Sequence, residues 1–115
     1  MTDRLLLAAL ALALAACGGT DGTGQLAGEE LAAEVGCLSC HRETSTGVAP
    51  TLHGVWGTEV ELSDGRTVTA DEEYVRRSIE EPGADIVAGY EAIMPVFPLE
   101  PDEVDSLIEW VRSLG

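Results

Sequence analysis

The sequence predicts a small all-α domain carrying one short β-hairpin. Three segments repeat apolar residues at helical spacing, and a single stretch alternates apolar and polar residues around a turn dipeptide. A third observation concerns the core. The chain has 115 residues, 4% of them aromatic, and Phe97 is the only phenylalanine. A core of usual density then needs either many aliphatics or something large in the middle.

The first helix is expected from Gly28, where GEELAAEVGCLSCH places Leu31, Ala32 and Val35 on one face and acids in the first turn, where the helix dipole favours them. It runs into the cysteines. The hairpin is VELSDGRTV, Val60 to Val68, turning at Asp64-Gly65, a dipeptide that tolerates positive dihedrals. The second helix is expected to start from Thr69 as N-cap, with Glu72 completing a capping box, and to turn Tyr74, Val75, Ser78 and Ile79 inward until Glu81-Pro82-Gly83 ends it. The third starts at Pro101, which suits a first helical position. Val104, Leu107, Ile108, Val111 and Leu114 form its stripe, with Trp110 beside them.

Ahead of these elements, Leu5 to Ala16 is an apolar run behind Arg4, too short to span a bilayer and of the length of a signal-peptide core. It ends in Leu14-Ala15-Ala16-Cys17, which resembles the bacterial lipobox, so residues 1–16 are expected to be cleaved and Cys17 lipidated. Residues 17–27 are glycine-rich and polar and read as a flexible tether reaching roughly 17 to 20 Å. The organisation is thus 1–16 signal peptide, 17–27 lipidated tether and 28–115 folded domain. The chain is expected to be exported and anchored on the outer side of a bacterial membrane.

The formal net charge is −15, with six arginines and no lysine. Loss of Asp3 and Arg4 with the signal peptide leaves it unchanged. Such a balance argues against nucleic acid and anionic membrane surfaces as partners and leaves a basic protein surface open, although acids spread along a whole chain also describe an ordinary solvated surface.

The chemistry concentrates in Cys37-Leu-Ser-Cys40-His41. Zinc would require four ligands, and Cys37, Cys40 and His41 leave the set one short unless His53, the other histidine, or a carboxylate joins. A redox dithiol fits the Cys-x-x-Cys spacing, but that motif usually opens a helix after a strand, whereas here it closes one. The third use is covalent haem attachment: two thiols on one helical turn add to neighbouring vinyl groups, and the next residue faces the iron as an axial imidazole. That site lacks a second axial ligand. Once Met1 is removed, Met94 is the one remaining methionine, in a loop before the last helix, and a thioether is a common sixth ligand in this haem class. His53 is the rival, but it follows His41 too closely to pass easily around a haem and is expected to bridge loops by a hydrogen bond.

These residues resemble class I c-type cytochromes: GCLSCH, APTLHGVWG, IMPVF and LEPDEVDSLIEWVRSL follow the family's order. The stretch Thr58 to Phe97 is similar to the cytochrome c domain fused to subunit II of some bacterial oxidases. The resemblance implies three main helices around one covalent haem c, thioethers from Cys37 and Cys40, axial His41 and Met94, and a Pro50 carbonyl that orients His41. It also implies that Gly28 and Trp110 mark the crossing of the terminal helices, with Ala32 in place of a larger apolar residue and Ala49 in place of a glycine. Thr58 stands where the family often has an arginine near a haem propionate, leaving Arg66 or Trp56 as replacements.

A haem held on both faces has no open position for substrate, so the expected function is outer-sphere transfer of single electrons at a positive potential, not enzymatic turnover. Expected partners are a terminal oxidase or a quinol-oxidising complex with a basic docking patch. Two other classes stay open: a fixed subunit of a respiratory complex, and a haem sensor or enzyme in which Met94 is displaced. The chain has no further cysteines for a dicopper centre, which excludes the fused-oxidase form for this chain itself.

Overall fold

The computed structural model describes residues 21–115. The signal segment, residues 1–16, and Cys17 lie outside the described residues. The elements run α1 (Asp21–Val35), α2 (Cys37–Cys40), β1 (Glu59–Glu61), β2 (Thr67–Thr69), α3 (Glu72–Glu80) and α4 (Pro101–Ser113). Helical content is modest, because residues 41–58 and 81–100 are loops that wrap a cavity instead of regular elements.

Helix α4 is the spine. Its Val104, Leu107, Ile108, Trp110 and Val111 are buried, as the apolar stripe predicts. Pro101 opens it, and the Glu103 carboxylate accepts from the Glu100 N–H at 2.9 Å, tying the start of the helix to its own first turn. Helix α1 crosses α4 at Gly28, where a Cβ would collide with the Ser106 carbonyl oxygen and sit 2.6 Å from the Trp110 Cβ. Ala32, fully buried one turn on, extends the close approach.

Three expectations need correction. Helix α1 begins at Asp21, so residues 21–27 of the expected tether are helical. Once Gly28 to Val35 is docked on α4, each further residue adds a hydrogen bond without a new nucleation cost. The cap of α3 is Asp71, whose carboxylate accepts from the Tyr74 N–H at 2.9 Å, and not Thr69, which pairs with Glu59 in the hairpin. The hairpin itself turns through three residues. The Leu62 N–H donates to the Arg66 carbonyl at 2.8 Å, the Gly65 N–H donates to the Leu62 carbonyl at 3.0 Å, and the left-handed conformation falls on Gly65 alone (φ 88°). Register pairs Val60 with Val68. An isolated antiparallel bridge from Leu62 to Val87 then ties the loop after α3 to the hairpin.

Candidate functional site

Gly36 decides how the cysteines are presented. At φ 97° it adopts the left-handed conformation that glycine tolerates, ends α1 and lets Cys37–Cys40 form a separate turn in a new direction. The His41 N–H donates to the Cys37 carbonyl at 2.9 Å and closes that turn. His41 Nδ1 lies 2.8 Å from the Pro50 carbonyl oxygen. A carbonyl only accepts, so Nδ1 is the donor and Nε2 is the ring nitrogen left to face a metal.

The Pro50 loop is itself held. Thr46 Oγ1 accepts from the Val48 and Ala49 N–H groups, both at 3.2 Å, while the Thr51 N–H donates to Ser45 Oγ at 2.9 Å. Ala49 is buried without left-handed backbone, and the contact between His41 and Pro50 is formed.

Cys37, Cys40, His41 and Met94 all line one cavity of about 570 Å³, a volume within the range of cofactor sites. Its walls are largely aliphatic, among them Leu52, Val55, Val60, Val75, Ile79 and Leu107. Val48 and Ile93 also face it and are exposed at 47% and 55%, so an apolar occupant would cover surface that the chain alone leaves to water. Burial pushes the Cys37 thiol pKa up, which keeps it protonated. Among the described residues no three His, Cys, Asp or Glu side chains converge as a zinc site requires.

Two of the polar groups in the largely apolar wall stand out. Ser78 Oγ is buried without a close hydrogen-bond partner among the described residues, and the Tyr74 hydroxyl is near enough to interact with it. Asp85, with its side chain 2% exposed, accepts from Arg77 Nε at 2.6 Å and Arg66 Nη2 at 2.9 Å. Burial works to raise its pKa, but the hydrogen bonds and charge of Arg77 and Arg66 outweigh it and hold the carboxyl below its ordinary value. Of the two, Ser78 had a signal in the sequence, a hydroxyl on the inward face of an amphipathic helix. Asp85, in an aperiodic loop, had none.

The remaining candidates are placed elsewhere. Arg66 does not line the cavity; its guanidinium is committed to Asp64, at 2.7 Å, and Asp85. Trp56 does not line it either, and its ring lies 4.6 Å under the Arg112 guanidinium, a cation–π contact. Trp110 is the tryptophan in the wall. His53 is outside the cavity, and its loop contact is a backbone N–H donated to Thr51 Oγ1 at 3.1 Å, not a bond from its ring.

The cytochrome c family model matches residues 25–115, and the chain belongs to that family. No curated protein matches it. Membership implies a covalently bound haem c and makes the protein a haem-based electron carrier, the general role of the family in place of catalysis.

Proposed function

We propose that this member of the cytochrome c family is a membrane-tethered monohaem carrier that moves single electrons between respiratory-chain partners, with Cys37 and Cys40 as thioether links and His41 and Met94 as axial ligands. One observation carries the reading: a Cys-x-x-Cys-His turn and a methionine from a distant loop line the same apolar cavity. The haem, when bound, supplies a one-electron ferric/ferrous couple. The residues do the rest. The Pro50 carbonyl would orient the His41 imidazole and fix which ring nitrogen faces the metal. Met94, softer than a second imidazole, favours the reduced iron, and the aliphatic walls that exclude water act in the same direction. If His41 and Met94 both held the iron, the chain would leave no ligand position open to a substrate.

The test is a redox-titrated absorption spectrum of the haem-loaded protein beside Met94→Ala. The variant is expected to lose the ferric methionine-to-iron band and to fall in potential by more than about 59 mV, tenfold in a one-electron equilibrium. A variant that kept the band would overturn the axial assignment. A wild-type protein without it would favour the sensor or enzyme reading.

The likeness of Thr58 to Phe97 to oxidase-fused domains supports a terminal oxidase as partner, and Cys17 in its lipobox-like context supports a lipid anchor on the outer side of a bacterial membrane. Among the described residues no helix is long and apolar enough to cross a bilayer. The charge of −15 suits a basic docking patch. Stopped-flow association with such an oxidase is expected to slow roughly tenfold between low and high salt. A rate indifferent to salt would remove the electrostatic part of the proposal.

A further inference from the structure

Among the described residues Asp85 is the one buried charged side chain, and it lies in the cavity wall. Arg77 reaches it from α3 and Arg66 from the hairpin turn. Each arginine also pairs outward, Arg77 with Glu73 at 3.3 Å and Arg66 with Asp64 at 2.7 Å. Charges therefore alternate from the cavity wall to solvent. Two of the chain's six basic side chains are committed to this cluster.

A purely structural purpose does not account for it. The loop that carries Asp85 is already held to the hairpin by its backbone: the Ser63 N–H donates to the Ile86 carbonyl at 2.7 Å and the Ala88 N–H to the Glu61 carbonyl at 3.0 Å. Burying a carboxylate costs several kcal/mol of desolvation, and an apolar side chain often fills such a place at no loss of stability. What an apolar side chain would not supply is a fixed field in the cavity.

We infer that Asp85 and its two arginines set the reduction potential of the group bound in the cavity, Asp85 lowering it and Arg77 and Arg66 raising it. The inference rests on the haem reading above. An electron added at the iron is repelled by an anion in the wall and attracted by a cation, and charges at a buried wall are screened far less than charges in water. Arg77, 32% exposed, acts more strongly than Arg66, 53% exposed.

The experiment is spectroelectrochemical titration of the haem-loaded full chain and of Asp85→Asn, Arg77→Gln and Arg66→Gln, at about pH 8, where the carboxylates are ionised. Asp85→Asn is expected to raise the potential and Arg77→Gln to lower it, each by roughly threefold to tenfold in the reduction equilibrium, with Arg66→Gln lowering it less. The ferric methionine-to-iron band stays in all three. Loosened packing alone would admit water and move every variant the same way, so shifts of one sign, or none, overturn the inference. If Asp85→Asn fails to mature, Arg77→Gln and Arg66→Gln are judged against Asp85→Glu, which keeps the charge and is expected to keep the wild-type potential; a lowering by Arg77→Gln no greater than that by Arg66→Gln overturns the inference equally. Wild-type protein without covalent haem absorbance would sink the haem reading itself, before any potential is measured.

Discussion

A Cys37→Ala/Cys40→Ala chain isolated free of haem is expected to show no cooperative thermal transition and to lose most of its helical circular dichroism. The reason is the size of the cavity against the stability of a small domain. An empty apolar cavity of 570 Å³ would cost about 14 kcal/mol at ~24 cal/mol per Å³. The whole stability of an ordinary domain is roughly 5–15 kcal/mol. Water filling the open cavity offsets only part of that cost, because the wall is largely aliphatic. The long loops, residues 41–58 and 81–100, have the cavity as their common contact and would collapse or open without it. A haem-free variant that melted cooperatively with native helicity would show that the chain carries its own core and that the cavity is not a cofactor's place in the fold.

A core built around a cavity also limits how far the sequence can be read. Cys37, Cys40, His41 and Met94 could be singled out because they are rare, and the four line one cavity. Helix α4 is legible because its stripe of Val104, Leu107, Ile108 and Val111 repeats at the helical period, and the hairpin because Asp64-Gly65 interrupts an alternating run. What could not be read depends on contacts between distant segments. The early start of α1 depends on docking against α4, and the loss of Thr69 as a cap depends on its pairing with Glu59. Arg66 and Trp56 were candidates for the cavity by their place in the sequence, yet Asp85 claims one and Arg112 the other. A buried carboxylate between two arginines leaves no periodic trace.

Gly28→Ala is expected to destabilise the haem-loaded protein by roughly 2–3 kcal/mol, overpacking at a helix crossing. Intrinsic preference points the other way, since alanine favours a helix over glycine by about 1 kcal/mol. The collision wins because its partners are rigid: the Ser106 carbonyl oxygen is backbone, and the Trp110 Cβ is fixed to it. For a domain of this size that loss corresponds to a fall in Tm of about 10–20 °C. Gly24→Ala is the control, in the same helix with nothing within 4 Å of its Cβ position, and it should be neutral or stabilising by up to about 1 kcal/mol. Trp110 is shared between this crossing and the cavity wall, so a wedge at Gly28 also admits water beside the bound group. Its potential should therefore fall together with the melting temperature, whereas Gly24→Ala leaves both in place. If Gly28→Ala melted like wild type, α1 and α4 would not meet as closely as Gly28 allows, and the wall that Trp110 contributes would need another support.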